Sequence, residues 1–177
     1  MITNVILTLF GIILLGAIVF GVWMAWGMFF YGAPLVSTSK KVTKKMIELS
    51  GIHQRDIVYD LGCGTGSILF EVMKSTSGAY CRGYDLVKPA ILFAQIKNTL
   101  LKTNIDFQSK DLFTVDLSDA DVIFCYLLPE AMKRIYTEKW EELKPGCRIV
   151  SNGFQLPSLK PTHTEPVGKG KIYIYEK

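Results

Sequence analysis

Val58-Tyr59-Asp60-Leu61-Gly62-Cys63-Gly64-Thr65-Gly66 decides the reading of this chain: an apolar strand runs into an acid and then into three glycines at alternate positions. Ile57 to Leu61 is rich in β-branched and aromatic residues, as a buried parallel strand is, and Ser67-Ile68-Leu69-Phe70-Glu71-Val72 opens a helix directly afterwards. Glycines in such a turn accept positive φ and let a ligand approach the main chain where a Cβ would push it away. A dinucleotide fingerprint has two residues between its second and third glycines and seats a pyrophosphate on the helix N-terminus. Here Ser67 stands where that third glycine would be. The acid two residues ahead of the first glycine suits a ligand with a cationic amino end better than one with phosphates. The next strand, Ala79 to Tyr84, ends at Asp85, whose carboxylate can accept both hydroxyls of a ribose.

Together these features resemble the class I methyltransferases that depend on S-adenosylmethionine (SAM). The resemblance places Asp60, Gly62, Cys63, Gly64, Gly66, Asp85 and Leu86 around that cofactor. A nicotinamide site and a purely structural turn are the alternatives.

With 177 residues the chain has the length of one ordinary domain, but its hydrophobic content of 49% is high for a soluble enzyme. The excess sits at one end: from Met1 to Ser39 there is no Asp, Glu, Lys, Arg or His. The run from about Val5 to about Trp26 is long enough to cross a ~30 Å hydrocarbon core as a helix. A cleavable signal peptide is the alternative, against which stand the missing basic n-region and the length of the run. Trp23, Trp26, Phe29, Phe30 and Tyr31 read as an interfacial belt, and Lys40, Lys41, Lys44 and Lys45 follow it. The expectation is a single-pass membrane protein with its N-terminus outside and its catalytic domain cytoplasmic, or on the inner side of an organelle. Residues 1–32 would be the anchor, 33–51 a pre-catalytic linker with an amphipathic helix, and 52–177 the catalytic domain. The expected partners are the lipid bilayer and a membrane-protein substrate. Ala17, Gly21 and Ala25 form a small-residue stripe on which a homo-oligomer could pack.

Cys63, Cys81, Cys125 and Cys147 have no paired ligand spacing and read as reduced, buried small residues. No metal is expected, since His53 and His163 flank no cysteine motif. A net charge of +4 owes much to the lysines after the apolar run, and no interleaving of aromatic and basic residues argues for nucleic acid.

Beyond the apolar run, strand and helix alternate as in a doubly wound α/β fold. Helices are expected over Lys40 to Leu49, from Ser67 to about Lys74, from about Lys88 to Lys102, and from Pro129 to about Leu143. Strands are expected at Ile105 to Ser109, Asp121 to Tyr126 and Arg148 to Asn152, with a closing hairpin over Thr162 to Val167 and Lys171 to Tyr175. The result is a Rossmann-like, mostly parallel seven-stranded sheet preceded by a transmembrane helix. Asp111, after the third strand, is placed either to accept from an adenine amino group or to cap the turn before Leu112-Phe113. Asp116, Ser118 and Asp119 read as turn residues.

The run Asp111-Leu112-Phe113-Thr114-Val115-Asp116-Leu117-Ser118-Asp119-Ala120-Asp121-Val122, followed by Tyr126-Leu127-Leu128-Pro129-Glu130, narrows the resemblance. It is similar to the membrane-anchored protein-lysine methyltransferases of mitochondria, which modify the adenine nucleotide translocase and the ATP synthase c subunit, and to their prokaryotic relatives. That likeness covers nearly the whole chain and implies that Thr38, Asp111 and Leu112 join the cofactor site. The Tyr126-Leu127-Leu128-Pro129 corner would position the acceptor amine. Leu35 stands where relatives carry a tyrosine, and Gly64-Thr65-Gly66 replaces their Gly-Asp-Gly. The implied activity is methylation of a lysine on a membrane or membrane-proximal protein. A small-molecule or lipid methyltransferase and a non-catalytic SAM sensor are the alternatives.

Overall fold

In the computed structural model the backbone is described for residues 2–31 and 38–177, and side chains for 6–22 and 38–177. The chain divides into two compact units, Met1–Val36 and Ser37–Lys177.

The first unit holds helix α1, Ile2–Tyr31. Here the single-pass membrane expectation, outside N-terminus and cytoplasmic domain included, is corrected. Among the described residues no helix is long and apolar enough to cross a membrane. The aromatic belt from Trp23 to Tyr31, Ala25 of the small-residue stripe, and Leu35 lie outside the described side chains.

The second unit is a seven-stranded sheet made of β1 (Ile57–Leu61), β2 (Tyr80–Asp85), β3 (Ile105–Ser109), β4 (Val122–Cys125), β5 (Arg148–Asn152), β6 (His163–Val167) and β7 (Gly170–Glu176). Their spatial order is β3-β2-β1-β4-β5-β7-β6. The first five are parallel neighbours and β7 runs antiparallel to both β5 and β6. The order reverses between β1 and β4, and a crevice at that switch point is where open α/β sheets take ligands.

Alternation along each strand sends side chains to two cores. Val58, Cys81, Ile105, Val122 and Val150 pack under α2 (Lys40–Ser50), α3 (Ser67–Ser75) and α4 (Lys88–Leu101). Tyr59, Leu61, Ile123, Cys125 and Ile149 pack on the other side, under α5 (Pro129–Arg134) and the turns that follow it. Ser39 caps α2 by accepting from Val42 N, and Gly51 ends it at a φ of 59°. Arg148, at the start of β5, donates to the carbonyls of Ser50 and Gly51. The end of α2 is thereby fixed beside the start of β5.

The helix expected over 129–143 is not uniform. After Arg134 it widens to a π-helical turn, Ile135–Lys139, and then tightens into a 3₁₀ turn, Trp140–Glu142. The wide turn accompanies an inward Lys139, whose buried ammonium donates to Val115 O at 2.7 Å and to Glu142 at 3.0 and 3.1 Å. A buried ammonium needs such partners, and local helix preference yields to them.

Candidate active site

The carboxyl end of β1 runs straight into the glycine loop, whose amide hydrogens are committed. Gly62 N and Cys63 N donate to Tyr84 O at 2.9 and 3.1 Å, and Gly66 N donates to Cys63 O at 2.8 Å. Gly64 N donates to Asp85 Oδ2 at 2.8 Å. A phosphate cradle needs free amides, so these four offer it nothing.

Two glycines earn their positive φ for a reason the sequence did not disclose. At Gly62 (φ 79°) a Cβ would come 2.7 Å from Leu127 Cδ2, and at Gly66 (φ 77°) it would overlap the Phe107 ring. At both positions the space a Cβ would take is filled by the protein's own side chains. The loop is sealed between Leu127 of the corner after β4 and Phe107 of β3.

Asp60 is only 2% exposed. Burial, reinforced by the neighbouring charge of Asp85, pushes its carboxyl up to about 8. Among the described residues its oxygens make no hydrogen bond. A buried carboxyl held without donors is an acceptor awaiting one, and a cationic amino group fits it in charge and hydrogen bonding.

Asp85 sits at the end of β2, where the sequence placed it. Besides Gly64 N, it accepts from Val87 N at 2.8 Å through Oδ1. Each oxygen keeps a lone pair for a hydroxyl, so the carboxylate is both a brace for the loop and an open acceptor. Leu86 follows it, exposed. Asp111 realises the capping alternative: its side chain accepts from Phe113 N at 3.0 Å and starts the 3₁₀ turn Leu112–Thr114. Its second oxygen is not used by that cap. Leu112 is half-buried beside it, and Thr38 is half-buried just ahead of the Ser39 cap.

The pairing register brings the acceptor corner to this loop. Asp60 lies level with Phe124 and Leu61 with Cys125, so Tyr126 stands level with Gly62. Leu127 is buried, whereas Tyr126 and Leu128 are 37% and 40% exposed. The Tyr126 hydroxyl makes no hydrogen bond among the described residues, which removes the alternative of a buried tyrosine satisfied by backbone. Pro129 opens α5, and Glu130 lies in its first turn.

Sequence reasoning missed Gly153. It lies one residue beyond β5 at a φ of 82°, where a Cβ would come 3.3 Å from Tyr126 Cε2. The signal was present in the Asn152-Gly153 dipeptide that ends the strand. Asp119, read from sequence as a turn residue, lies in the turn closed by Ala120 N donating to Leu117 O, and its side chain also accepts from Tyr59 Oη at 2.8 Å and from Arg82 Nη1 at 2.9 Å. That network braces the β1–β4 connection on the far side of the sheet. The four cysteines are free and buried. Burial raises the thiol of Cys63 and pushes those of Cys81, Cys125 and Cys147 up to about 12, so none is a ready nucleophile.

Comparisons with known proteins agree with this geometry. The family described as the ANTKMT methyltransferase domain matches residues 60–163. A protein-lysine N-methyltransferase of Saccharolobus islandicus is 31% identical over 80% of this chain and 92% of its own length. The adenine nucleotide translocase lysine N-methyltransferase of Mus musculus is 24% identical over 81% of this chain, which spans only 62% of that relative. Among solved structures, an RNA methyltransferase of Salinibacter ruber in complex with S-adenosyl-L-homocysteine superposes with a TM-score of 0.76 at 29% identity, covering 80% of this chain and 93% of its own.

Proposed function

The chain belongs to the ANTKMT methyltransferase-domain family and is a SAM-dependent methyltransferase, and from that premise we propose that its acceptor is the side-chain amine of a protein lysine. The observation that carries the reading is the Tyr126-Leu127-Leu128-Pro129 corner: one exposed phenol with a free hydroxyl, one exposed leucine, and the buried Asp60 carboxyl one strand away.

Bound in the crevice, SAM supplies a methyl group on a sulfonium, which a neutral amine displaces in line. In this reading Asp60 takes the cationic amino end of the cofactor, Asp85 its ribose and the second oxygen of Asp111 its adenine. Gly62, Cys63, Gly64 and Gly66 form the floor, with Thr38, Leu86 and Leu112 at the margin. An amine of reference pKa near 10.4 costs about 4–5 kcal/mol to present neutral near pH 7. Partial desolvation against Leu128 lowers that cost. The Tyr126 hydroxyl accepts from the incoming amine and fixes its direction, which is the main service such a displacement needs. The absence of a Cβ at Gly153 leaves room for the Tyr126 ring beside the turn after β5. Glu130, in the first turn of α5, draws an ammonium toward the mouth.

We extend the proposal to a lysine on a membrane-proximal protein, supported by the mouse relative named for the adenine nucleotide translocase. The likeness to the RNA methyltransferase of Salinibacter ruber supports RNA as the competing acceptor. Labelled methyl donor, full-length protein and fractionated host lysate separate the two. Protease-sensitive label, found as methyl-lysine by mass spectrometry and enriched in the membrane fraction, is the expected result. Label sensitive to nuclease overturns the lysine assignment, and methyl-lysine confined to soluble proteins overturns the extension.

A further inference from the structure

Within the unit Ser37–Lys177, helix α4 carries an apolar face that is exposed among the described residues. Ala90, Ile91 and Ala94 bury its inner side, while Leu92, Phe93, Ile96 and Leu100 are each more than half exposed. At the helical repeat these four fall within an arc of about 100°, the width of a face that ordinarily meets a core. Exposed leucines scattered singly need no explanation, but a contiguous stripe of this kind marks an interaction surface.

The charges around the stripe select the occupant. The sequence of α4, Lys88–Leu101, contains no acidic residue. Lys88 lies just beyond one edge of the arc and Lys97 just beyond the other, within about 40° of it by the same repeat. Lys97 reaches across the Phe70 ring, 4.2 Å from its centroid, and lies near enough to Lys74 to feel its charge. Lys102 follows at the helix end, exposed. A second copy of the chain would set lysine against lysine across a two-fold axis, at a Coulombic cost. A surface with apolar depth and negative headgroups satisfies the stripe and the lysines together, since long basic side chains reach outward from a buried apolar face.

We propose that the outer face of α4 docks on the interfacial layer of an anionic lipid bilayer, with Leu92, Phe93, Ile96 and Leu100 entering the headgroup region and the flanking lysines on anionic lipid. This is a contact in the plane of the interface, independent of the nature of the methyl acceptor. Because α4 starts immediately after Asp85-Leu86-Val87, the docked face carries the cofactor end of the sheet with it.

The test uses the full chain with Ile96→Cys, labelled with an environment-sensitive fluorophore. The four native thiols are buried, so the added one reacts selectively. Gln108→Cys, exposed on β3, is the control. Vesicles are phosphatidylcholine with and without phosphatidylglycerol, carrying brominated acyl chains as quencher. The readout is local to α4, so attachment through any other part of the chain does not move it. The expected result is a blue shift and quenching at position 96 in the anionic vesicles, absent at 108. Lys88→Glu with Lys102→Glu weakens partitioning to the anionic vesicles by at least roughly thirtyfold, since each lysine near such a surface contributes a factor of about five. A label at 96 that remains in water on anionic vesicles overturns the proposal. So does a blue shift without lipid that grows with protein concentration, which assigns the face to a second copy.

Discussion

The glycine loop and the corner after β4 touch through Leu127 and Gly62, yet they are built on opposite plans. In the loop, four amides are spent, two glycine faces are filled by Leu127 and Phe107, and Asp85 ties Gly64 to Val87. In the corner, Tyr126 and Leu128 stay exposed and the phenol has no partner among the described residues. The difference teaches that one side of the crevice is preorganised and the other waits for its ligand. The loop spends folding energy on a fixed shape for a constant cofactor, while the corner leaves contacts to be completed by an acceptor. Substitutions in the loop should therefore show first in stability and then in binding, and substitutions in the corner only in turnover.

Gly66→Ala breaks the comparison hardest. Its φ of 77° is a left-handed conformation, and the new methyl would overlap the Phe107 ring and approach Phe70. Left-handed backbone costs a non-glycine residue ~1–2 kcal/mol and overpacking ~1–3 more, so a loss of about 2–5 kcal/mol is expected. Urea unfolding of wild type and variant at one pH checks it. An unchanged midpoint would mean that the loop is far looser than its packing indicates.

Asp85→Ala comes next because it acts on both sides of the comparison. Two amides lose their acceptor, at about 1–3 kcal/mol of stability, and the cofactor loses a charged hydrogen-bond partner worth about 1.5–3 kcal/mol. Unfolding and calorimetric titration with S-adenosylhomocysteine read the two effects separately, and both should move.

Asp60→Asn sharpens the contrast within the loop, since Asp60 makes no hydrogen bond among the described residues. Folding raises its carboxyl from 3.8 to about 8. Between those values the native state holds a proton that the unfolded state has released. Wild-type stability therefore falls as pH rises from about 4 to about 8 and levels off above that. In Asp60→Asn that part of the pH dependence should vanish, while affinity for SAM drops by about 1.5–3 kcal/mol. Binding of the cationic ligand to wild type near pH 7 should also release protons, visible as a binding heat that varies with buffer ionisation enthalpy. Equal heats in two buffers would place the ligand away from Asp60.

Much of this was legible beforehand because the signals were local. β1, β3 and β5 begin and end where short apolar patterns meet turn residues, and Asp60, Asp85 and Tyr126 fall at strand ends that the hydrophobic pattern fixes. What escaped were facts set by residues far apart in sequence. Nothing near Gly66 announces Phe107, nothing near Tyr126 announces Gly153, and Asp119 looked like any turn acid until Tyr59 and Arg82 closed on it. The π-helical turn at Ile135–Lys139 belongs to the same class, since the partner of Lys139 is the carbonyl of Val115, on the chain leading into β4. The apolar start of the chain is a different case: its run predicts a membrane span, and among the described residues no helix is long and apolar enough to cross one.

Tyr126→Phe is the smallest perturbation and the most informative about the corner. The ring keeps its place beside Gly153, and the lost hydroxyl has no partner among the described residues, so stability should stay within about 0.5 kcal/mol of wild type. Cofactor affinity should stay as well, because no loop contact involves the phenol. Turnover should fall by about fivefold to tenfold, the worth of one hydrogen bond of about 1–1.4 kcal/mol made to the acceptor amine. A drop in kcat at constant cofactor affinity would confine Tyr126 to the acceptor side of the crevice. A drop in cofactor affinity would instead mean that the corner belongs to the preorganised half, and the division between the two regions would have to be redrawn between Tyr126 and Leu128.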